Sequence, residues 1–129
     1  GGSVLGTKSH WEEVYEKELT NFRELGDPGE AWFENEIGCM QRVSVWIAQQ
    51  LCDGQCDTAH ILDVGTGNGL MLQHLALAGF RKITGTDYIH DAVTLARGNF
   101  KAALAPDGDL GSELSALELQ QLEINIVQD

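Results

Sequence analysis

The sequence predicts an α/β protein whose core is a parallel β-sheet in the order β-α-β-α-β, with two helices before it. A short apolar run, Ile61 to Val64, ends in closely spaced glycines, as a buried parallel strand does. Helical and strand patterns then alternate to the end of the chain, which favours right-handed crossover connections. We divide the 129 residues into an N-terminal helical segment, residues 1–58, and an incomplete α/β half-domain, residues 59–129.

Two helices are predicted in the N-terminal segment. The first begins at Ser9, because Ser9 and Glu12 have the spacing of a capping box. It ends where the run from Gly26 to Gly29 breaks the helical pattern, and a second helix follows from about Ile37 to Leu51. The apolar residues that recur at helical spacing, or that we expect in the core, are Trp11, Val14, Tyr15, Leu19, Phe22, Met40, Val43, Trp46 and Ile47.

The second half of the chain carries the alternating pattern. A helix from Leu70 to Ala78, stopped by Gly79, follows the first strand. The remaining elements are predicted to be a strand over Lys82–Thr86 that ends at Asp87, a helix over Asp91–Ala103, a loop over Ala105–Ser115 and a strand over Leu122–Val127.

Composition excludes several classes of function. A formal net charge of -12 would repel phosphate backbones, so we expect no nucleic-acid partner. No apolar run is long enough to span a membrane. The N-terminus, GGSVLGTKSH, lacks a signal-peptide core, which favours a cytoplasmic location. Cys52, Cys56 and His60 match no common zinc-ligand spacing, so we expect reduced thiols and no metal site.

The stretch Asp63 to Gly69 is the strongest functional signal. The N-terminus of a helix carries unpaired N–H groups and a partial positive charge, so a ligand with an anionic group can bind there. Glycines at 65, 67 and 69 would let such a ligand approach the backbone closely. Asp87 ends the next strand, 22 residues after Gly65, and can face the same crevice. An acid at that position can accept hydrogen bonds from both ribose hydroxyls of an adenosine.

The spacing of the glycines indicates which kind of nucleotide ligand the loop would bind. Dinucleotide-binding folds favour G-x-G-x-x-G, whereas this chain has D-x-G-x-G-x-G and no phosphate loop of the G-x-x-x-x-G-K-[ST] type. Asp63 adds a negative charge, which suits a cationic ligand better than a pyrophosphate. S-adenosylmethionine, with its sulfonium, ammonium, carboxylate and ribose, fits this set of groups.

The segments DVGTGNG and GTDY resemble motif I and the acidic end of strand two in class I, seven-stranded S-adenosylmethionine-dependent methyltransferases. LGTKSHWEEVYEKEL and NFRELGDPGEAWF are similar to the N-terminal signature of the lysine methyltransferases that modify eukaryotic elongation factor 1-alpha. The resemblance implies a Rossmann-like sheet and S-adenosylmethionine as cofactor. The cofactor-binding residues that it implies are Asp63, Gly65, Gly67, Gly69, Asp87, Tyr88, Asp129 and Trp32. Trp32 and its neighbour Phe33 would cover the cofactor or shape the lysine channel.

The resemblance also implies partners and a mechanism. The substrate would be a protein, elongation factor 1-alpha, and the intact enzyme would be monomeric and cytoplasmic, with the nucleus as a second location. Methyl transfer to lysine needs no nucleophilic side chain, so we expect no catalytic residue in this chain. The chain ends after the third strand of the family's order 3-2-1-4-5-7-6, which predicts an uncovered apolar edge at strand one.

Three other functions stay open at this point. The chain would be a non-catalytic cofactor-binding fragment or isoform if the substrate-binding half is lacking. A Rossmann oxidoreductase that uses a nicotinamide cofactor is disfavoured by the glycine spacing. A small-molecule methyltransferase differs from the main interpretation only in the N-terminal signature.

Overall fold

A computed structural model describes residues 7–29, 38–51 and 55–129, and it confirms the predicted α/β class. The elements in chain order are α1 (Lys8–Leu25), α2 (Cys39–Leu51), β1 (His60–Val64), α3 (Leu70–Leu77), β2 (Lys82–Asp87), α4 (His90–Ala103), α5 (Asp109–Glu113), α6 (Ala116–Gln121) and β3 (Glu123–Gln128). Ile37, where we expected the second helix to begin, lies outside the described residues. No described helix is both long and apolar enough to cross a membrane.

The three strands form one parallel sheet in the spatial order β1-β2-β3. Asp63 is paired in register with Gly85, and Asp87 is paired with Gln128. Since the strands are parallel, their carboxyl ends lie along one edge of the sheet. This arrangement brings the two sequence-predicted acids, Asp63 and Asp87, to neighbouring positions.

One face of the sheet carries the main core. Leu72 and Leu75 of α3 and Phe100 of α4 are buried against Ile83 and Ile126 of the sheet. On the alternate positions of β1, Leu62 and Val64 are 58% and 71% exposed. Within the described residues β1 pairs with β2 alone, which agrees with the expected apolar edge.

The helix α1 packs on α4. Tyr15 and Leu19 are buried in a second cluster with Ile89, Ala92 and Leu95. The N-cap of α1 is Thr7, whose hydroxyl oxygen accepts a hydrogen bond from the backbone N–H of His10 at 3.2 Å. The prediction of Ser9 as N-cap was therefore wrong, because the helix begins two residues earlier. The helix ends as predicted at Gly26, which adopts a left-handed conformation with φ 72°.

The helix α2 packs on α3 through Ser44, Ile47 and Ala48. Trp46 is 58% exposed, so the prediction that it belongs to the core was wrong. Successive residues of an α-helix are rotated by about 100°, so the position before Ile47 points away from the packed face. Val43, on the same helix, is 42% exposed and borders an open crevice beside the glycine loop.

The predicted loop at 105–115 was wrong in part, because α5 begins within it and α6 follows. A Cβ on Gly108 or Gly111 would collide with the backbone carbonyls of Ala103 and Ala105 respectively. The glycines that suggested a loop are thus needed for close backbone packing. Ser115 then begins α6 with a capping box.

Candidate ligand-binding site

The loop between β1 and α3 is fixed by backbone hydrogen bonds. The N–H of Thr66 donates to the carbonyl of Thr86 at 2.8 Å, which extends the contact between β1 and β2 beyond the last strand residue. The N–H of Gly69 donates to the carbonyl of Thr66 at 2.9 Å and closes the turn into α3. The loop is therefore a fixed part of the sheet edge.

Each of the three glycines in the loop is required for a different physical reason. All have positive φ, but a Cβ on Gly65 would meet nothing within 4 Å. A Cβ on Gly67 would lie 2.6 Å from Oη of Tyr15, and one on Gly69 would lie 2.7 Å from Cβ of Ala96. We expected all three to clear a path for a ligand, and the structure leaves that space open only at Gly65. Gly67 and Gly69 allow α1 and α4 to pack closely on the loop.

The side chain of Asp87 stabilises the loop through a hydrogen bond to its backbone. Its side chain is 6% exposed, and its Oδ2 accepts a hydrogen bond from the N–H of Gly67 at 3.0 Å. Its Oδ1 accepts one from the N–H of Ile89, also at 3.0 Å, at the start of α4. An ionised carboxylate has about four lone-pair sites, so acceptor capacity remains. The predicted contact of Asp87 with a ribose stays a prediction.

Asp63 lies near the end of β1, just before the loop. Its Oδ2 accepts a hydrogen bond from Oγ1 of Thr66 at 2.8 Å. Burial raises the pKa of this carboxyl, the Thr66 hydrogen bond lowers it in part, and the charge of Asp87 raises it again. The pKa of Asp63 is therefore raised, and a positive charge beside it would favour its ionised form.

A crevice opens above these residues. Its volume is about 330 Å³, within the range of small-molecule sites. One wall is the loop from Asp63 to Asn68, and the other comes from α1 and α2. The side chains of the second wall and the floor are Tyr15, Cys39, Met40, Val43 and Met71. The crevice thus has a polar loop on one side and a mostly apolar surface on the other.

The other sequence-predicted site residues do not line this crevice or lie outside the described residues. Asp87 is beneath the loop and Gly69 is packed under α4, so neither lines the open space. Tyr88 is 42% exposed, and Nζ of Lys8 lies 5.9 Å from its ring centroid. The N–H of Asp129 donates to the carbonyl of Asp87 at 3.1 Å, so Asp129 ends beside Tyr88. Trp32 and Phe33 lie outside the described residues.

Three residues of this region escaped the sequence interpretation. Tyr15 supplies part of the wall, Thr66 orients Asp63, and Asn99 joins two loops. The amide Nδ2 of Asn99 donates to the carbonyl of Pro28 at 2.9 Å and to that of Asn68 at 3.0 Å. The structure buries Asn99, which is 5% exposed. A polar residue on the inward face of a predicted helix was the sequence signal that could have identified it, because buried polar groups need hydrogen-bond partners.

The possible metal site was checked in the part of the chain that the structure describes. Residues 7–29, 38–51 and 55–129 contain no group of three His, Cys, Asp or Glu side chains that could hold a metal ion. Cys52, one of the three residues weighed as a metal clip, lies outside these ranges.

The fold and the site agree with the class of protein that the sequence suggests. A parallel sheet with a glycine loop after β1 and a buried acid at the end of β2 is the arrangement expected from the resemblance to class I methyltransferases. Comparison with known proteins shows that the chain is similar to protein-lysine methyltransferases. The chain is 47% identical over 94 residues to EEF1A lysine methyltransferase 2 from Homo sapiens, a match that covers 73% of this chain and 38% of the relative.

Two further relatives extend the comparison. EEF1A lysine methyltransferase 2 from Danio rerio is 44% identical over 93 residues, covering 72% of this chain and 38% of the relative. The protein-lysine N-methyltransferase efm4 from Schizosaccharomyces pombe is 35% identical over 106 residues, covering 74% and 44% respectively. The chain spans about two fifths of the length of these curated relatives. No family model matches the chain, and no solved structure gives a significant match.

Proposed function

We propose that this chain carries the S-adenosylmethionine-binding part of a protein-lysine N-methyltransferase that acts on translation elongation factor 1-alpha. The observation that carries the proposal is the crevice between Asp63 and Gly65, where an acid with a raised pKa lies beside open backbone. The similarity to EEF1A lysine methyltransferases supports the substrate, because their names state it.

The residues present fit this cofactor. The open space at Gly65 accepts a methionine moiety, and the carboxylate of Asp63 complements its ammonium group. We propose that Asp87, whose carboxylate keeps acceptor capacity, binds the ribose, and that Tyr88 and Asp129 bind the adenine; the bond from the N–H of Asp129 to the carbonyl of Asp87 makes these two residues neighbours and supports this. Trp32 is proposed to cover the cofactor. When bound, S-adenosylmethionine supplies an electrophilic methyl group.

The chain's own contribution to the reaction is binding and exclusion of water. A lysine side chain has a reference pKa of about 10.4 and must lose a proton before its nitrogen can attack. Apolar surroundings lower a lysine pKa, and Met40, Val43 and Met71 give the crevice an apolar side. Holding the nitrogen and methyl group in line then accounts for most of the acceleration. We assign no catalytic residue in this chain.

A non-catalytic cofactor-binding fragment is the alternative. The exposed Leu62 and Val64 and the two-fifths coverage of the relatives motivate it. The relatives are methyltransferases by name, so the enzyme is the better supported of the two. The same names argue against a nicotinamide-dependent oxidoreductase.

One experiment separates these functions. The 129-residue chain is titrated with S-adenosylmethionine by calorimetry and then incubated with purified elongation factor 1-alpha and the cofactor. The human relative serves as the positive control. Methyl gain on a lysine, read by mass spectrometry, supports the enzyme. Binding without transfer supports the fragment, and absence of binding refutes both.

The proposal extends to location and assembly. We propose a monomeric protein of the cytoplasm, with the nucleus as a second location, that binds neither nucleic acid nor membrane. The net charge of -12 suits a lysine-rich, positively charged substrate surface. Fluorescence microscopy of the tagged chain and light scattering of the purified chain test these statements.

A further inference from the structure

The outer edge of β3 is free among the described residues. This strand pairs with β2 on one side, and no described strand lies on the other. The N–H of Glu123 donates to the carbonyl of Arg81 at 2.7 Å, so the odd-numbered residues of β3 bond toward β2. In a parallel ladder the alternate residues then direct their N–H and C=O groups away from β2. The backbone groups of Ile124 and Ile126 therefore point to the free edge.

A groove runs between this edge and α4. Its volume is about 260 Å³. The lining residues that α4 and its C-cap supply are spaced by three and four positions, so they form one stripe of the helix. None of the lining residues belongs to the crevice beside the glycine loop. We call this feature the β3 groove, and its residues are Arg97, Phe100, Lys101, Leu104, Ile124 and Ile126.

The side chain of Arg97 is anchored at the β3 groove. Its Nε donates to the carbonyl of Ile126 at 2.8 Å, which agrees with the outward direction of that carbonyl. The two terminal nitrogens of Arg97 have no hydrogen-bond or ion-pair partner among the described residues. A guanidinium held by its Nε keeps a planar set of N–H donors that matches the two oxygens of a carboxylate. The anchored Arg97 is thus prepared for an acidic group.

The charge of the β3 groove is opposite to that of the whole chain. The chain has 8 Lys and Arg residues against 20 Asp and Glu, yet the groove is lined by two cations and no acid. Lys101 lies one helical turn after Arg97, is exposed, and has no ion-pair partner among the described residues. Between the cations and the strand, Phe100 and Leu104 give the groove an apolar floor and rim, with Leu104 41% exposed.

We propose that the β3 groove is a docking site for an extended, acidic segment of a partner protein. The segment lies along the first half of β3 and bonds to the outward backbone groups of Ile124, because Arg97 already occupies the carbonyl of Ile126. Its carboxylates bind Arg97 and Lys101, and an apolar side chain packs against Leu104. Since the groove shares no lining residue with the crevice, this inference stands apart from the proposed function.

The probe is a synthetic ten-residue peptide, TETITETITE. Side chains of an extended segment alternate between two faces, so one face of this peptide carries both the glutamates and the isoleucines. Titration into the ¹⁵N-labelled 129-residue chain should shift the amide signals of Lys101, Leu104 and Ile124 in heteronuclear NMR spectra. Two control peptides should bind more weakly: TKTITKTITK reverses the charge, and TETSTETSTE removes the apolar side chains. The affinity for TETITETITE should also fall as salt is added.

Matched variants separate the groove from the overall charge. Lys101→Glu should weaken binding about fivefold, because an attractive pair becomes a repulsive one. Lys17→Glu makes the same change in net charge at another exposed helical lysine and should leave the affinity within about twofold. Leu104→Gln should weaken binding about threefold, whereas Leu117→Gln, at an exposed leucine outside the groove, should not. Thermal unfolding curves check that each variant keeps its fold.

Four results would overturn the proposal. The first is absence of signal shifts with TETITETITE, and the second is equal binding of TKTITKTITK. The third is an equal effect of the two lysine variants, which would show attraction by net charge alone. The fourth is a concentration-dependent dimer in light scattering that Lys101→Glu abolishes, because the occupant of the groove would then be a second copy of the chain. All measurements are made without S-adenosylmethionine, so a failure of cofactor binding leaves them interpretable.

Discussion

The buried carboxylate of Asp87 provides the sharpest test of how the site is built. In Asp87→Asn, the amide oxygen can still accept from one backbone N–H, either that of Gly67 or that of Ile89. The amide NH₂ then faces the other N–H, which is left without an acceptor. One unsatisfied buried donor costs about 1–3 kcal/mol, and the retained bond loses its charge-assisted part. We expect a loss of about 2–4 kcal/mol in the free energy of unfolding.

Urea denaturation measures this loss. With a urea dependence of about 2 kcal/mol per molar, the middle of the usual range, the unfolding midpoint of Asp87→Asn should fall by about 1–2 M. Asp107→Asn makes the same chemical change at an exposed loop position and should leave the midpoint where it is. Equal midpoints for Asp87→Asn and the unmodified chain would refute the assignment of Asp87 as the support of the glycine loop. Asp87 would then have only the ribose-binding role that the sequence predicts.

The remaining predictions concern other parts of the same region. Gly67→Ala should destabilise the chain by about 2–4 kcal/mol in urea, from the left-handed φ and the contact with Tyr15. Gly65→Ala should cost only about 1–2 kcal/mol from its left-handed φ, while weakening cofactor binding in calorimetry, since its methyl enters the open space; equal effects of the two variants would contradict the distinction. Arg81→Ala should cost about 1–3 kcal/mol in urea, because the carbonyls of Ala76 and Phe80 lose their donor. Glu118→Gln should cost less than Arg81→Ala, since that partner is exposed, and the reverse ranking would contradict the hydrogen-bond assignment. The affinity for S-adenosylmethionine should fall as the pH falls through the raised pKa of Asp63, because only the carboxylate attracts an ammonium; calorimetry across acidic pH checks this, and Asp63→Asn should remove the dependence. In the unliganded chain the sign is opposite, so that the stability due to Asp63 is present at low pH and is lost as the pH rises through that pKa.

The sequence predicted correctly where the local parts of the candidate site lie in the fold. Asp63 and the three glycines lie within seven residues, so their shared position follows from one strand and one turn. Asp87 was placed in the same region because parallel strands align their carboxyl ends, and the register of β1 and β2 confirms that alignment. Periodicity and spacing carry this kind of information.

The parts that failed depend on contacts between distant segments. The wall supplied by Tyr15 comes from a helix far earlier in the chain, and its buried position gave the sequence pattern of an ordinary core residue. Gly108 and Gly111 suggested a loop, although they exist to let α5 approach the backbone at the end of α4. Trp46 suggested a core residue because large aromatic side chains are often buried, but its helix presents another face to α3.

The two acids at the sheet edge explain why the site should prefer a cation. Asp87 is fixed as an acceptor by two backbone N–H groups. Burial is the main cause of the raised pKa of Asp63, the Thr66 hydrogen bond offsets part of that rise, and the charge of Asp87 adds a smaller one. A ligand that brings an ammonium or sulfonium favours the ionised form of Asp63, whereas a pyrophosphate would disfavour it. Under the proposed function, Asp87 thus supports the loop, and Asp63 would disfavour the pyrophosphate of a dinucleotide at the same place.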